Sequence, residues 1–149
     1  MPPGPADQRP NEARADVLVF STPPLTEDTE VTGFISLELY ASTSAVDTDF
    51  TALLVDVDPN GYARFLTDGI VRSRHEGSPV VPGKVVKYTI DLWATGNVFK
   101  AGHRIRLYVS SSNFPRFNLN LNPAHQTIYH DRQYSSALIL PVIPKVTGP

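Results

Sequence analysis

The sequence predicts an all-β fold, a jelly-roll β-sandwich of about eight strands in one domain. Apolar residues recur with a period of two along several segments, as half-buried strands require. Fourteen Pro and nine Gly, in a chain that is 41% hydrophobic, divide those segments into short elements joined by turns. Few places offer a helix, and no repeat of fixed period runs along the chain. Antiparallel strands in this number close as two sheets, because an open sheet would leave long edges exposed. The 149 residues suit one domain, which buries about two-thirds of the surface its unfolded chain exposes.

Residues 1–15 are polar and Pro-rich and read as an extended linker, since proline removes donors and blocks helix. The domain is expected over 16–144, with 145–149 as a tail. The first strand is Asp16 to Ser21, ended by Pro23-Pro24. After Thr32-Gly33, Ile35, Leu37, Leu39 and Ala41 share one face while Ser36, Glu38, Tyr40 and Ser42 share the other. Asp49 to Asp58 follows, with Leu53, Val55 and Val57 expected inward. Pro59-Asn60-Gly61 is a turn signal, so Tyr62 to Leu66 should return as a hairpin. A turn at Thr67-Asp68-Gly69 is expected to lead into Ile70 to His75. Val86, Tyr88, Ile90 and Leu92 alternate next, then Ile105, Leu107 and Val109 with arginines outward, and a last strand covers Ser136 to Val142. Thr26-Glu27-Asp28 forms a helical turn at most.

Composition removes several classes of function. Thirteen basic against fifteen acidic residues give a net charge of −2, without the basic footprint that nucleic-acid binding needs. The chain has no Cys, which excludes disulfides, thiolate metal sites and a Cys nucleophile. The N-terminus lacks the apolar core of a signal peptide, and no stretch approaches transmembrane length. A soluble protein follows, with no membrane partner and the cytoplasm as the default compartment.

The chain carries few signatures of catalysis or metal binding. No Gly-x-Ser-x-Gly pentapeptide presents a nucleophile on a strand-to-helix elbow. Ser110-Ser111-Ser112 follows a strand, where turn and edge hydrogen bonding is the ordinary role. Of the histidines His75, His103, His125 and His130, the last two are five apart, on opposite faces of a strand, and His103 stands alone at the start of one, so structural roles are expected for all four. Asp47 and Asp49 precede a strand and Asp56 and Asp58 end it, roughly 20 Å away. One calcium ion cannot span both pairs, so capping of turns is the better account. Neither metal nor cofactor is expected. Arg104, Arg106, Arg116 and Lys100 read as a solvated face. Asn113, Phe114, Arg116 and Phe117 are the candidate domain-docking residues, because aromatics and Arg dominate interface energetics. The competing account tucks both rings under their own loop.

Several stretches resemble one family. They include Asp7-Gln8-Arg9-Pro10, Asp16 to Phe20, Glu30 to Gly33, Ser44 to Ala52 and Leu54 to Val57. They continue through Asp68 to Arg72, Asn97 to Phe99, Gly102 to Ile105, Ser110 to Phe117 and His125 to His130. The chain is similar, from about Pro3 to Pro144, to the C-terminal domain of the CocE/NonD hydrolases, a group that includes cocaine esterases and X-Pro dipeptidyl peptidases. One departure lies between Asn122 and His125, where only Pro123-Ala124 remain of a longer family loop.

The resemblance implies a jelly roll similar to galactose-binding-like domains. It also implies a parent serine hydrolase whose Ser-Asp-His triad sits in an α/β-hydrolase domain N-terminal to this one. No triad residue maps onto this sequence, and Met1-Pro2 then marks a cut just inside the linker. The expected partner is that catalytic domain, on which this one packs while helping to wall the substrate site; a homo-oligomer is left open. The alternative is a stand-alone carbohydrate- or ligand-binding module, because fold does not determine function. Trp93, the single tryptophan, is expected in the core or at the sandwich rim rather than as a sugar platform.

Overall fold

The computed structural model describes residues 7–8, 10, 17–43, 49–72, 81–111 and 126–144. Their strands are β1 (Val17–Ser21), β2 (Thr29–Thr43), β3 (Asp49–Val57), β4 (Ala63–Arg72), β5 (Val86–Phe99), β6 (Arg104–Ser110), β7 (Gln126–Tyr129) and β8 (Ala137–Ile139). One sheet has the order β1-β6-β3-β4; the other has β5-β2-β7, with β8 also paired to β2. Every strand pairing is antiparallel. No helix among the described residues is long and apolar enough to cross a membrane.

The core lies between the sheets. From β2 it takes Val31, Ile35, Leu37, Leu39 and Ala41, and from β5 Tyr88, Ile90, Leu92 and Phe99. The β3 sheet supplies Phe50, Ala52, Leu54, Leu107 and Val109. Each large aliphatic side chain buried here contributes about 1.5–3 kcal/mol. The hairpin between β3 and β4 forms as its turn residues imply. Asp58 Oδ1 accepts the amides of Asn60 and Tyr62 at 2.9 and 3.0 Å. Gly61 takes φ 90°, a conformation that costs glycine little.

Several expectations need correction. Leu53, Val55 and Val57 do not face the sandwich core; they form a second cluster with Ala63 and Tyr108 on the opposite side of their sheet. All nine residues of β3 are buried, so alternation found the period but had no polar face by which to choose a side. Asp7 and Gln8, within the stretch read as linker, lie near this second cluster. Asp7 bridges to Arg64, the Gln8 amide donates to the Ala63 carbonyl at 2.7 Å, and Gln8 is fully buried.

Thr67-Asp68-Gly69 is not a turn but the middle of β4, which continues to Arg72 past a register shift opposite Leu54 and Val55. Glycine is needed there for space. A Cβ at Gly69 would fall inside contact distance of the Asp91 carbonyl oxygen and 3.0 Å from Ile90 Cγ2. β5 runs to Phe99 rather than stopping near Leu92, because a bulge shifts its register against β2 between Phe34 and Ser36. Buried positions are accordingly even-numbered before the bulge (Tyr88, Ile90, Leu92) and odd-numbered after it (Asn97, Phe99). Four-residue β7 escaped the sequence reading because it is too short to show a period. The agreement on eight strands therefore combines one strand read as two with one missed.

Candidate functional site

Where β3, β5 and β6 converge, Asp56 is buried and accepts bonds through both oxygens. His103 Nδ1 lies 2.7 Å from Asp56 Oδ1, and Asn97 Nδ2 donates to Oδ2 at 3.0 Å. Arg64 Nη2 then donates to Asn97 Oδ1 at 2.5 Å. Asp56 therefore does not cap a turn, and His103 does not stand alone. The Asp–His contact is the kind that orients a catalytic imidazole, but no hydroxyl among the described residues bonds to His103. Its effect is mechanical: β3, β4, β5 and the turn before β6 are tied across both sheets by a polar network.

The other expected residues fall into place as structural parts. Ser110 Oγ lies 2.7 Å from Thr51 Oγ1 across the β3–β6 pair, a cross-strand bond between the two inner strands of the sheet rather than at its edge. Asp49 pairs with Arg72 at 3.3 Å, and Lys100 with Asp28 at 3.7 Å. Arg104 Nη1 donates to the Thr22 carbonyl at 3.1 Å and Arg106 Nε to Ser21 Oγ at 3.2 Å, so both arginines hold the β1 edge. The His130 ring meets Phe20 edge-on, with centroids 5.6 Å apart. Among the described residues no group of three or more His, Asp or Glu side chains comes together. Asn113, Phe114, Arg116 and Phe117 lie outside the described residues, as do His75, His125, Asp47 and Ser112.

The surface feature that stands out is aromatic. Phe34 is 77% exposed and Trp93 is 64% exposed. Odd positions of β2 face the core, so Phe34 points to the outer face of its sheet. Ala94 is its register partner and adjoins Trp93. Val98 and Ile139, both exposed, pair with Glu30 and Ser36 and so share that outer face. Trp93 has φ 62°, the only positive value at a non-glycine residue among those described, and its amide donates to Asp91 Oδ1 at 2.7 Å. Such a conformation costs a bulky residue about 1 kcal/mol or more, and it coincides with the bulge in the β2–β5 register. Trp93 is not in the core, because the bulge turns it out to solvent on β5, the edge strand of its sheet. Phe34 was legible: extending the even-numbered outer face of β2 back by one step reaches it.

A family model described as X-Pro dipeptidyl-peptidase C-terminal non-catalytic domain matches residues 3–139. Cocaine esterase of Rhodococcus sp. (strain MB1 Bresler) is 46% identical over 161 residues, covering 95% of this chain and 28% of that protein. This span exceeds the chain's own 149 residues, so the relative carries residues that this chain lacks. Among solved structures, an aminopeptidase from a marine sediment archaeon (Thaumarchaeota archaeon) superposes with TM-score 0.85 at 33% identity, over 94% of this chain and 28% of that one. An alpha-amino acid ester hydrolase superposes with TM-score 0.84 at 30% identity, over 93% and 27%. The chain thus spans little more than a quarter of each of these three relatives. By its fold, its sequence and the extent of these matches, this chain belongs to the X-Pro dipeptidyl-peptidase C-terminal non-catalytic domain family of the CocE/NonD-type hydrolases.

Proposed function

We propose that this chain serves as an accessory β-sandwich that packs on the α/β-hydrolase domain of an acyl ester or X-Pro dipeptidyl peptidase hydrolase and helps enclose its substrate site. The observation that carries this reading is the exposed Phe34–Trp93 face. Exposed large apolar side chains on neighbouring strands mark a contact surface. The relatives supply the kind of partner, since most of each of their chains lies outside the matched region. Asn113, Phe114, Arg116 and Phe117 belong to the same proposal on their chemistry alone, two rings and a guanidinium of the sort that anchors interfaces.

Titrating the chain into the catalytic region of the Rhodococcus relative, prepared without its own matching domain, tests this directly. Saturable binding is expected, weakened about tenfold or more by Phe34→Ser with Trp93→Ser. A folded catalytic region that ignores the chain, or binding indifferent to the double substitution, contradicts the reading.

A second reading, a carbohydrate-binding module, draws on the same exposed Trp93. Because Trp93 is the single tryptophan, its emission reports on this face alone. A saturable change on adding oligosaccharide favours the second reading, and no change favours the first.

A further inference from the structure

Opposite the β4/β5 side, one sheet ends on β1 and the other on the short strands β7 and β8. Between these edges lies a cavity of about 350 Å³. Protein interiors are close-packed, and voids much larger than a water molecule are few. A mostly apolar recess of this size falls in the range of small-molecule pockets.

Its floor is Leu37 and Leu39 of β2 with Leu107 and Val109 of β6, all buried; Ile128 and Leu138 form one wall. Four polar side chains line it, and their hydrogen bonds separate their roles. Ser21 Oγ accepts from Arg106 Nε at 3.2 Å. Ser136 Oγ accepts the Tyr40 amide at 2.9 Å and donates to the Tyr129 carbonyl at 2.5 Å, so it is fully used in holding β2 to β7. Thr22 Oγ1 accepts the Ile105 amide at 3.1 Å, and among the described residues its own O–H has no acceptor. His130 is exposed and set edge-on against Phe20, and its ring nitrogens have no hydrogen-bond partner among the described residues. Arg104 and Arg106 alternate with the lining residues Ile105, Leu107 and Val109 and so lie on the outer face of β6, away from the cavity. No Asp or Glu among the described residues lines the recess. Two available donors over an apolar floor, with no carboxylate beside them, select against a cationic head group and for an acceptor such as a carboxylate.

We propose that this cavity binds a small monocarboxylic acid, with its aliphatic or phenyl tail on the leucine floor and its carboxylate at His130 and Thr22. The site lies between the sheets, on different residues from the Phe34–Trp93 face, and does not depend on the docking reading.

Phenylpropionate and phenylpropanol, titrated into the purified chain and followed by NMR and thermal unfolding, are the probes. The acid is expected to bind saturably, to shift the amides of β2 and β6, and to bind about tenfold tighter than the alcohol. At a hundredfold excess over Kd it should raise Tm by about 5 °C or more. His130→Leu should bring the two probes to nearly equal affinity by weakening phenylpropionate more than phenylpropanol. Leu138→Trp should fill the recess and abolish binding of both; if that variant does not fold, His130→Leu decides alone. Absence of saturable binding, retention of wild-type affinity in a folded Leu138→Trp, or an unchanged preference for the acid in His130→Leu each overturns the proposal.

Discussion

Along the β4/β5 side of the sandwich the two sheets meet without slack. Gly69 leaves no room for a Cβ beside the Asp91 carbonyl, Thr67 Oγ1 donates to the Leu92 carbonyl, and Arg64, Asn97, Asp56 and His103 form one chain of hydrogen bonds. Along the β1/β7–β8 side the same sheets part around a cavity of about 350 Å³. The difference teaches what holds the fold and what remains available. Closure on one side depends on a few specific residues and polar bonds. The other side is built from short strands and partly buried apolar side chains, which leave accessible surface.

Breaking the closed side should have the largest effect. Gly69→Val places atoms where the β5 backbone already stands, and should cost about 3 kcal/mol or more, read as a fall in the urea midpoint. Asp56→Ala leaves His103 and Asn97 without their shared acceptor and should cost about 2–4 kcal/mol in the same measurement. On the open side, Leu138→Phe adds volume beside an existing void. Calorimetry should find its Tm within about 3 °C of the parent, which corresponds to about 1 kcal/mol. A large loss there would erase the contrast between the two sides.

The outer face sharpens the comparison further. Trp93→Gly deletes the largest side chain of β5 yet removes a positive φ that glycine tolerates, so stability should change by less than about 1 kcal/mol. The smallest effect belongs to Tyr88, whose phenol is pushed up by burial beside Phe50. Because its folded value lies above its unfolded one, its contribution to stability is complete below about pH 10 and is lost as pH rises through the folded value. Tyr88→Phe should flatten that part of an alkaline unfolding curve.

Much of this architecture was legible wherever one face of a strand is polar. In β2, the outward Ser36, Glu38 and Tyr40 against inward Ile35, Leu37 and Leu39 gave both period and orientation. In β3, apolar residues on both faces left orientation undecided, and Leu53, Val55 and Val57 were assigned to the wrong side. Gly69 was misread because a glycine demanded by close approach looks, in sequence, like a glycine demanded by a turn. The bulge at Trp93 has no local sequence mark, so the exposure of its ring could not be foreseen. The pairing of Asp56 with His103 joins residues 47 positions apart, which no spacing rule anticipates. Family resemblance supplied what periodicity could not, the kind of protein in which such a sandwich occurs.

The accessory role proposed for this sandwich requires that it perform no hydrolysis by itself. The most direct test is hydrolysis of p-nitrophenyl esters by the purified chain, combined with serine-reactive phosphonate labelling read by intact mass. The account predicts no turnover above buffer and no added mass. Stoichiometric labelling of any serine, with turnover lost on its replacement, would contradict it and make this domain an enzyme in its own right.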